Sequence, residues 1–343
     1  MTQISTIRAV LACAAALGVA ALGLGTAEAE APTLKYATTA PPGSHIAKFF
    51  EAHVEALNKA NPEAIKFRIY HSTLGNMQTI YDSTKNEVAD IGWISPTMIP
   101  GKFKKTEFTR LPGVCDVAEY CSVAIWHAYQ KGLYGDEFDE VPPIAVHAYP
   151  PSILNTQKPV TAIDDLRGIK IGALGKEAAD IIQALKGTPL SIQLFSFYQS
   201  LQNHMIEGVI TSYTAFDPFK LHEQVSYHYE INAGGSNAYM GMNKKVWAGL
   251  SAEAKKVIDD LEREKFSREL GKFWDGVAED TRGRVAKLPG HQIVKAKPDE
   301  QARIDRLMQP IIDAWMKDVP GGEAVYKFVK ADYEAQVKAR PTN

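Results

Sequence analysis

A surplus of charge of either sign is missing from this sequence: 38 Lys and Arg stand against 40 Asp and Glu, a formal net charge of −2. That balance gives no electrostatic reason to gather phosphates, so neither nucleic acid nor an anionic membrane surface is an expected partner. Cysteine is scarce, with three residues in all. Of the two that follow the N-terminal region, Cys115 and Cys121, neither has enough His or Cys nearby for a zinc set, and His127 alone does not complete one. Beyond residue 29 no apolar stretch approaches the ~20 residues a helix needs to cross the hydrocarbon core, so a chain embedded in a membrane is not expected. Catalytic signatures are absent too: there is no GxSxG elbow, HExxH, GxxxxGK[ST] loop, or GxGxxG opening a helix after a strand. His222 and His228 stand six apart, neither on one helix face nor at a metal-finger spacing. Asp90 and Glu207 read as strand-edge acids that bond turn amides. No enzyme, cofactor or metal site is expected.

What is present begins with an export signal. Arg8 supplies a positive start, Ala9 to Leu24 is an apolar run interrupted only by glycine, and Ala27-Glu28-Ala29 is a small-x-small cleavage site. Residues 1–29 are therefore expected to be a signal peptide and the mature chain to be periplasmic. In an oxidising compartment Cys115 and Cys121 can close a short loop worth about 2 kcal/mol.

From Leu34 on, short runs of β type alternate with stretches of 3.6-residue period, which is what an α/β architecture looks like in sequence. Strands are expected at 34–37, 65–70, 88–95, 144–149, 169–173, 208–212, 227–231 and 238–243. Helices are expected after Ser44, placed as an N-cap, and at 77–86, 123–131 and 176–186. A proline-free helical pattern runs from Ser251 to about Val285, roughly 50 Å at 1.5 Å per residue, and outruns a single small domain. Pro150-Pro151 marks a crossing between halves. The expected division is one lobe of residues 30–150 with 237–277 and a second of 151–236 with 278–343, the long helix bracing both.

Several segments together resemble the solute-binding proteins of TRAP (tripartite ATP-independent periplasmic) transporters. They are LKYATTAPPGSH at 34–45, IYHSTLGNMQTIYDSTKNEVADIGWISPTMIPGKF at 69–103, LNTQKPVTAIDDLRGIKIGALG at 154–175, EGVITSY at 207–213 and YMGMNKKVWAGLS at 239–251. The resemblance covers essentially the whole mature chain. It implies a two-lobed α/β periplasmic receptor with mixed sheets, expected to be a monomer, which closes over one small solute and delivers it to TRAP permease subunits driven by an ion gradient. A receptor for signalling or for an ATP-driven importer, and a periplasmic enzyme on a bilobed fold, are the alternatives.

The departures from the family pattern bear on the solute. Members that bind organic acids usually carry an arginine after the "KI" of the GIKI strand, whose guanidinium grips a carboxylate through two parallel hydrogen bonds. Here that position is Gly172. A simple C4-dicarboxylate is therefore not expected, and an aromatic, neutral or cationic solute is. The expected contacts are the aromatic residues Trp93, Tyr149, Phe197, Tyr213 and Phe216 and the neutral donors Thr38, Ser95 and Ser152. Glu177 is the acid that would face a positive group, and Arg68 and Arg167 are expected at the surface.

Overall fold

The computed structural model describes residues 30–340. The expected signal peptide, residues 1–29, lies outside them. In chain order the strands are β1 (Thr33–Thr38), β2 (Lys66–His71), β3 (Ile91–Ile94), β4 (Pro143–Ala148), β5 (Ile153–Thr156), β6 (Lys170–Ala173), β7 (Thr188–Ser191), β8 (Gly208–Thr211), β9 (Tyr227–Glu230), β10 (Asn237–Met242) and β11 (Gln292–Lys295). The helices are α1 (His45–Ala60), α2 (Ile80–Lys85), α3 (Ala118–Gln130), α4 (Gly175–Ala184), α5 (Phe197–Gln202), α6 (Phe216–Phe219), α7 (Lys244–Gly249), α8 (Ala252–Leu261), α9 (Arg263–Val285), α10 (Pro298–Asp318) and α11 (Gly322–Lys338).

The strands form two sheets, ordered β2-β1-β3-β10-β4 and β11-β9-β5-β8-β6-β7. Both are mixed. In the first, β1 lies parallel to β2 and β3 while β10 runs antiparallel to β3 and β4. In the second, β6 is parallel to β7 and β8, and β5 is antiparallel to β8 and β9. Both faces of each sheet are covered, as a sheet with parallel strands requires. One face of the first sheet meets α1, α8 and the first half of α9 through Phe50, Leu57, Ile258, Phe266 and Trp274. Its other face meets α3 and α11. On the second sheet, Ile181, Ile182 and Ile304 cover one face, and Phe197, Phe216 and Val285 cover the other.

The sheets are joined by two antiparallel crossing segments, 149–152 and 231–236. Tyr149 N donates to Ser236 O at 2.8 Å and Ser152 N to Gly234 O at 2.6 Å. Two helices reinforce this joint. Helix α9 supplies Trp274 to the core of the first sheet and Val285 to that of the second. At 23 residues it spans ~34 Å. Helix α10 does the same in the opposite sense, with Ile304 and Met308 in the second core and Ile312 and Trp315 in the first. Pro310 stands between these pairs, where its missing N–H loosens the helix.

Two expectations need correction. The pattern from 251 to 285 is not one helix: α8 ends at Leu261 and is followed by Glu262, whose carboxylate turns into the core to accept hydrogen bonds from His53 Nε2 at 3.0 Å and Tyr36 Oη at 3.3 Å. Arg263 then takes a left-handed φ of 60°, and the chain restarts as α9. Residues 278–343 do not all sit with the second sheet either, because Val325, Tyr326, Val329 and Tyr333 of α11 pack into the first core beside α3. The capping of α1 is as expected, Ser44 Oγ accepting from Ala47 N at 3.3 Å. So is the Cys115–Cys121 disulfide, whose Cα atoms are 5.8 Å apart.

Candidate solute-binding cleft

In open α/β sheets, ligands lie outside the carboxyl ends of the parallel strands. Here those ends converge on the crossing segments. Asn237, just past the crossing, pairs with Ala148, and two residues on Tyr239 pairs with Ile94, the last residue of β3. On the second sheet Ile153 pairs with Thr211, the last residue of β8. The candidate residues fall into two groups about this level.

The first group is aromatic and polar. Trp93 stacks at 6.0 Å on His147, which lies 4.9 Å from Tyr149, and Trp274 of α9 covers all three. Trp93 Nε1 donates to His147 Nε2 at 3.0 Å. That nitrogen must therefore be unprotonated, leaving the proton on Nδ1, which points at the Ala148 carbonyl. Burial pushes the imidazole down to about 4, so it stays neutral. Burial also raises the Tyr149 phenol, which remains protonated. Thr38, buried at the end of β1, exchanges a 2.7 Å hydrogen bond with His71 Nδ1. Ser95 pairs with Thr97 at 2.9 Å.

The second group is apolar. Phe197 and Phe216 are fully buried and share a core with Tyr213 and Ile206. Gly172 faces this core: a Cβ there would lie 3.0 Å from both Phe197 Cε1 and Ile206 Cδ1. The first atom of any side chain at residue 172 would therefore crowd hydrocarbon. Tyr213 Oη donates to Glu230 at 3.2 Å, and Arg282 of α9 grips the same carboxylate through Nε at 2.5 Å and Nη2 at 3.2 Å. That phenol is thereby held rather than free, and burial and Glu230 raise its pKa.

Two residues bridge the groups. Ser152 lies in the crossing with its backbone committed to Gly234 and Ala233. Glu177, in the first turn of α4, faces Arg110 from the segment after β3, Nε to Oε2 at 3.0 Å. It is thus not an unpaired acid awaiting a cation. Arg110 also donates to the Leu174 carbonyl. Arg110, His147 and Trp274 were missed in the sequence; a lone arginine before a Leu-Pro, a histidine inside a strand and a tryptophan on a long helix carry no local signal of their partners. Arg68 and Arg167 are exposed, as expected. Among the described residues no group of three or more His, Cys, Asp or Glu is placed to hold a metal ion.

The family model for bacterial extracellular solute-binding proteins, family 7 (DctP), matches residues 36–318. The chain belongs to that family. This family 7 receptor is 25% identical over 334 residues to the outer membrane transporter protein TsaT of Comamonas testosteroni, covering 94% of this chain and 97% of that one. Its fold is that of TRAP periplasmic solute-binding proteins. A marine metagenome member in complex with 3-hydroxybenzoate superposes with a TM-score of 0.80 at 23% identity, covering 89% of this chain and 99% of that chain. A Rhodoferax ferrireducens member with copurified benzoate gives 0.79 at 23%, covering 90% and 99%. One from Bordetella bronchiseptica with bound mandelate gives 0.78 at 23%, covering 89% and 99%. The recognition of the chain from its sequence as a solute-binding protein of this kind stands: the family is one of extracellular solute-binding proteins and the fold is that of TRAP receptors. No described helix is long and apolar enough to cross a membrane.

Proposed function

We propose that this receptor captures a monocyclic aromatic carboxylate in the periplasm, after export by the signal sequence at 1–29, and has no catalytic activity of its own. The observation that carries the reading is the exchange at Gly172: even a Cβ there would be crowded by Phe197 and Ile206, while Trp93, His147, Tyr149 and Trp274 form a packed aromatic cluster beside the crossing. A ring gains from such surfaces through burial and edge or face contacts. A second carboxylate has no cation at residue 172 to offset its desolvation. The pairing of Glu177 with Arg110 removes the sequence-based reason for a cationic solute. Three receptors of the same fold hold 3-hydroxybenzoate, benzoate and mandelate, which supports the choice of class.

The residues proposed to face the solute are Tyr149, Ser152 and Ser95, which are only partly covered, with Trp93 and Tyr213 behind them. Thr38, Phe197 and Phe216, buried and already partnered or packed, shape the walls. The lobes proposed to move about the crossing are the two sheets with their helices, α11 counted with the first. Hinge closure of this kind buries the ligand and signals the loaded state. A thermal-shift panel of benzoates, phenylacetates, mandelates, C4-dicarboxylates and amino compounds tests the reading, since a ligand at about 100 times its Kd adds about 2.7 kcal/mol. Stabilisation by the aromatic acids alone is expected; a shift confined to the dicarboxylates or amines would overturn it.

A further inference from the structure

The loss of the arginine at residue 172 leaves an aromatic acid without its strongest contact on the second sheet. Arg110 brings a guanidinium from the first sheet's side to the end of the same strand, at the Leu174 carbonyl. Its neighbours Phe108 and Leu111 are rooted in the core of the first sheet. The Thr109 carbonyl accepts from Gly235 N of the crossing at 2.7 Å, and Gly235 in turn lies against the Tyr149 carbonyl. From that footing the side chain crosses to the second sheet and donates to the carbonyl of Leu174, two residues beyond Gly172. Leu174 packs on the apolar group of Phe197, Tyr213 and Phe216.

Two glycines make the crossing possible. A Cβ at Gly234 would fall 2.1 Å from the Arg110 carbonyl, and one at Gly175 would fall 1.9 Å from the Arg110 guanidinium; both glycines have positive φ, +75° and +84°. The Arg110 side chain is only 15% exposed and its guanidinium meets the carboxylate of Glu177, a side chain equally covered. A second carboxyl, Glu107, is pushed up by burial and by the charge of Glu177. The cation thus sits at the end of β6, anchored beside Tyr149, with Glu177 as its carboxylate partner.

We propose that Arg110 holds the solute's carboxylate and that Glu177 competes with the solute for the guanidinium. The proposal rests on the reading of the solute as an aromatic carboxylate, and it names the cation that would meet that carboxylate. Arginine suits the role, because its planar fork can give two N–H groups to a carboxylate and keep a third on the Leu174 carbonyl. Exchange of one carboxylate for another keeps the guanidinium neutralised throughout, whereas simple removal of either partner would leave a half-buried charge unpaired.

The two partners therefore have opposite effects on binding, and this separates the assignment from a purely structural bridge between the lobes. Calorimetric titration of wild type, R110Q, R110K and E177Q with 3-hydroxybenzoate and benzoate tests it, each variant first checked for a cooperative thermal transition. R110Q is expected to lose at least 50-fold in affinity, R110K to retain part of it, and E177Q, freed of its internal competitor, to bind several-fold more tightly than wild type. R110Q binding within threefold of wild type would overturn the assignment, as would E177Q losing as much affinity as R110Q. Should R110Q fail to fold, E177Q alone decides by the direction of its change. A wild type that binds neither acid counts against the aromatic-acid reading and the assignment together, whereas a wild type that binds while the variants respond otherwise counts against the assignment alone.

Discussion

The two sheets meet the crossing with unlike surfaces. On the first, Trp93 and Tyr149 are held by a neutral histidine and an aromatic cover from α9, so each ring is oriented by a polar or stacking partner. On the second, Gly172, Phe197 and Ile206 are packed apolar groups, and the proposed site also draws on the Tyr213–Glu230–Arg282 set and the Arg110–Glu177 pair. On the proposed reading, the first half supplies orienting partners for the solute and the second supplies shape. Two lobes of a similar sheet-and-helix build need not divide recognition evenly.

The comparison can be broken at several points. The largest effect is expected from F197A and W274A, each removing a large buried side chain at a cost of about 3–5 kcal/mol in urea unfolding. Only W274A should also disturb binding of an aromatic acid beyond its effect on stability, because Phe197 backs the wall and Trp274 covers the ring-bearing group. Equal binding defects would erase the proposed distinction. Next comes G172R, which places a side chain where even a Cβ is crowded by Phe197 and Ile206. It is expected to destabilise by about 3 kcal/mol, the upper end for overpacking, and not to create a dicarboxylate site. A stable G172R protein that binds succinate tightly would show that the space is open after all.

A smaller effect sharpens the polar side of the comparison. His147 is buried neutral, its pKa lowered to about 4 by desolvation. The unfolded chain takes up a proton near 6.5 while the folded one does not, so the stability this group contributes is present above pH 6.5 and lost as pH falls toward about 4. Between pH 7 and pH 5 that amounts to about 2 kcal/mol. In H147Q the fall between those two pH values should be smaller by about that amount, measured by urea titration at each; an unchanged slope would mean that His147 is not held neutral.

Much of the fold was legible in the sequence, and the reason is local. Ser44 caps α1, the alternation near 66–71 and 237–242 makes strands, and the two cysteines close their short loop. What escaped depends on partners far along the chain. Strand β7 carries Pro189, tolerable because the strand lies at a sheet edge, which only the assembled sheet reveals. Strand β11 sits in a stretch of helical character and exists by pairing with β9. The break at Glu262 is set by His53 and Tyr36, both more than 200 residues earlier. The site divides in the same way. The family resemblance marked Gly172 as a position to watch, but that Phe197 and Ile206 lie close against it is a tertiary fact. Nothing near Glu177 in sequence points to Arg110, 67 positions before it, and so a residue expected to attract cations proved to be already paired.

The central claim is that this receptor takes one aromatic carboxylate and not two aliphatic ones. Isothermal titration of the mature protein with 3-hydroxybenzoate and with succinate, under one buffer and temperature, tests it most directly. The account predicts a saturable one-to-one heat with the aromatic acid and none with succinate at the same concentrations; submicromolar binding of succinate, with none of 3-hydroxybenzoate, would contradict it.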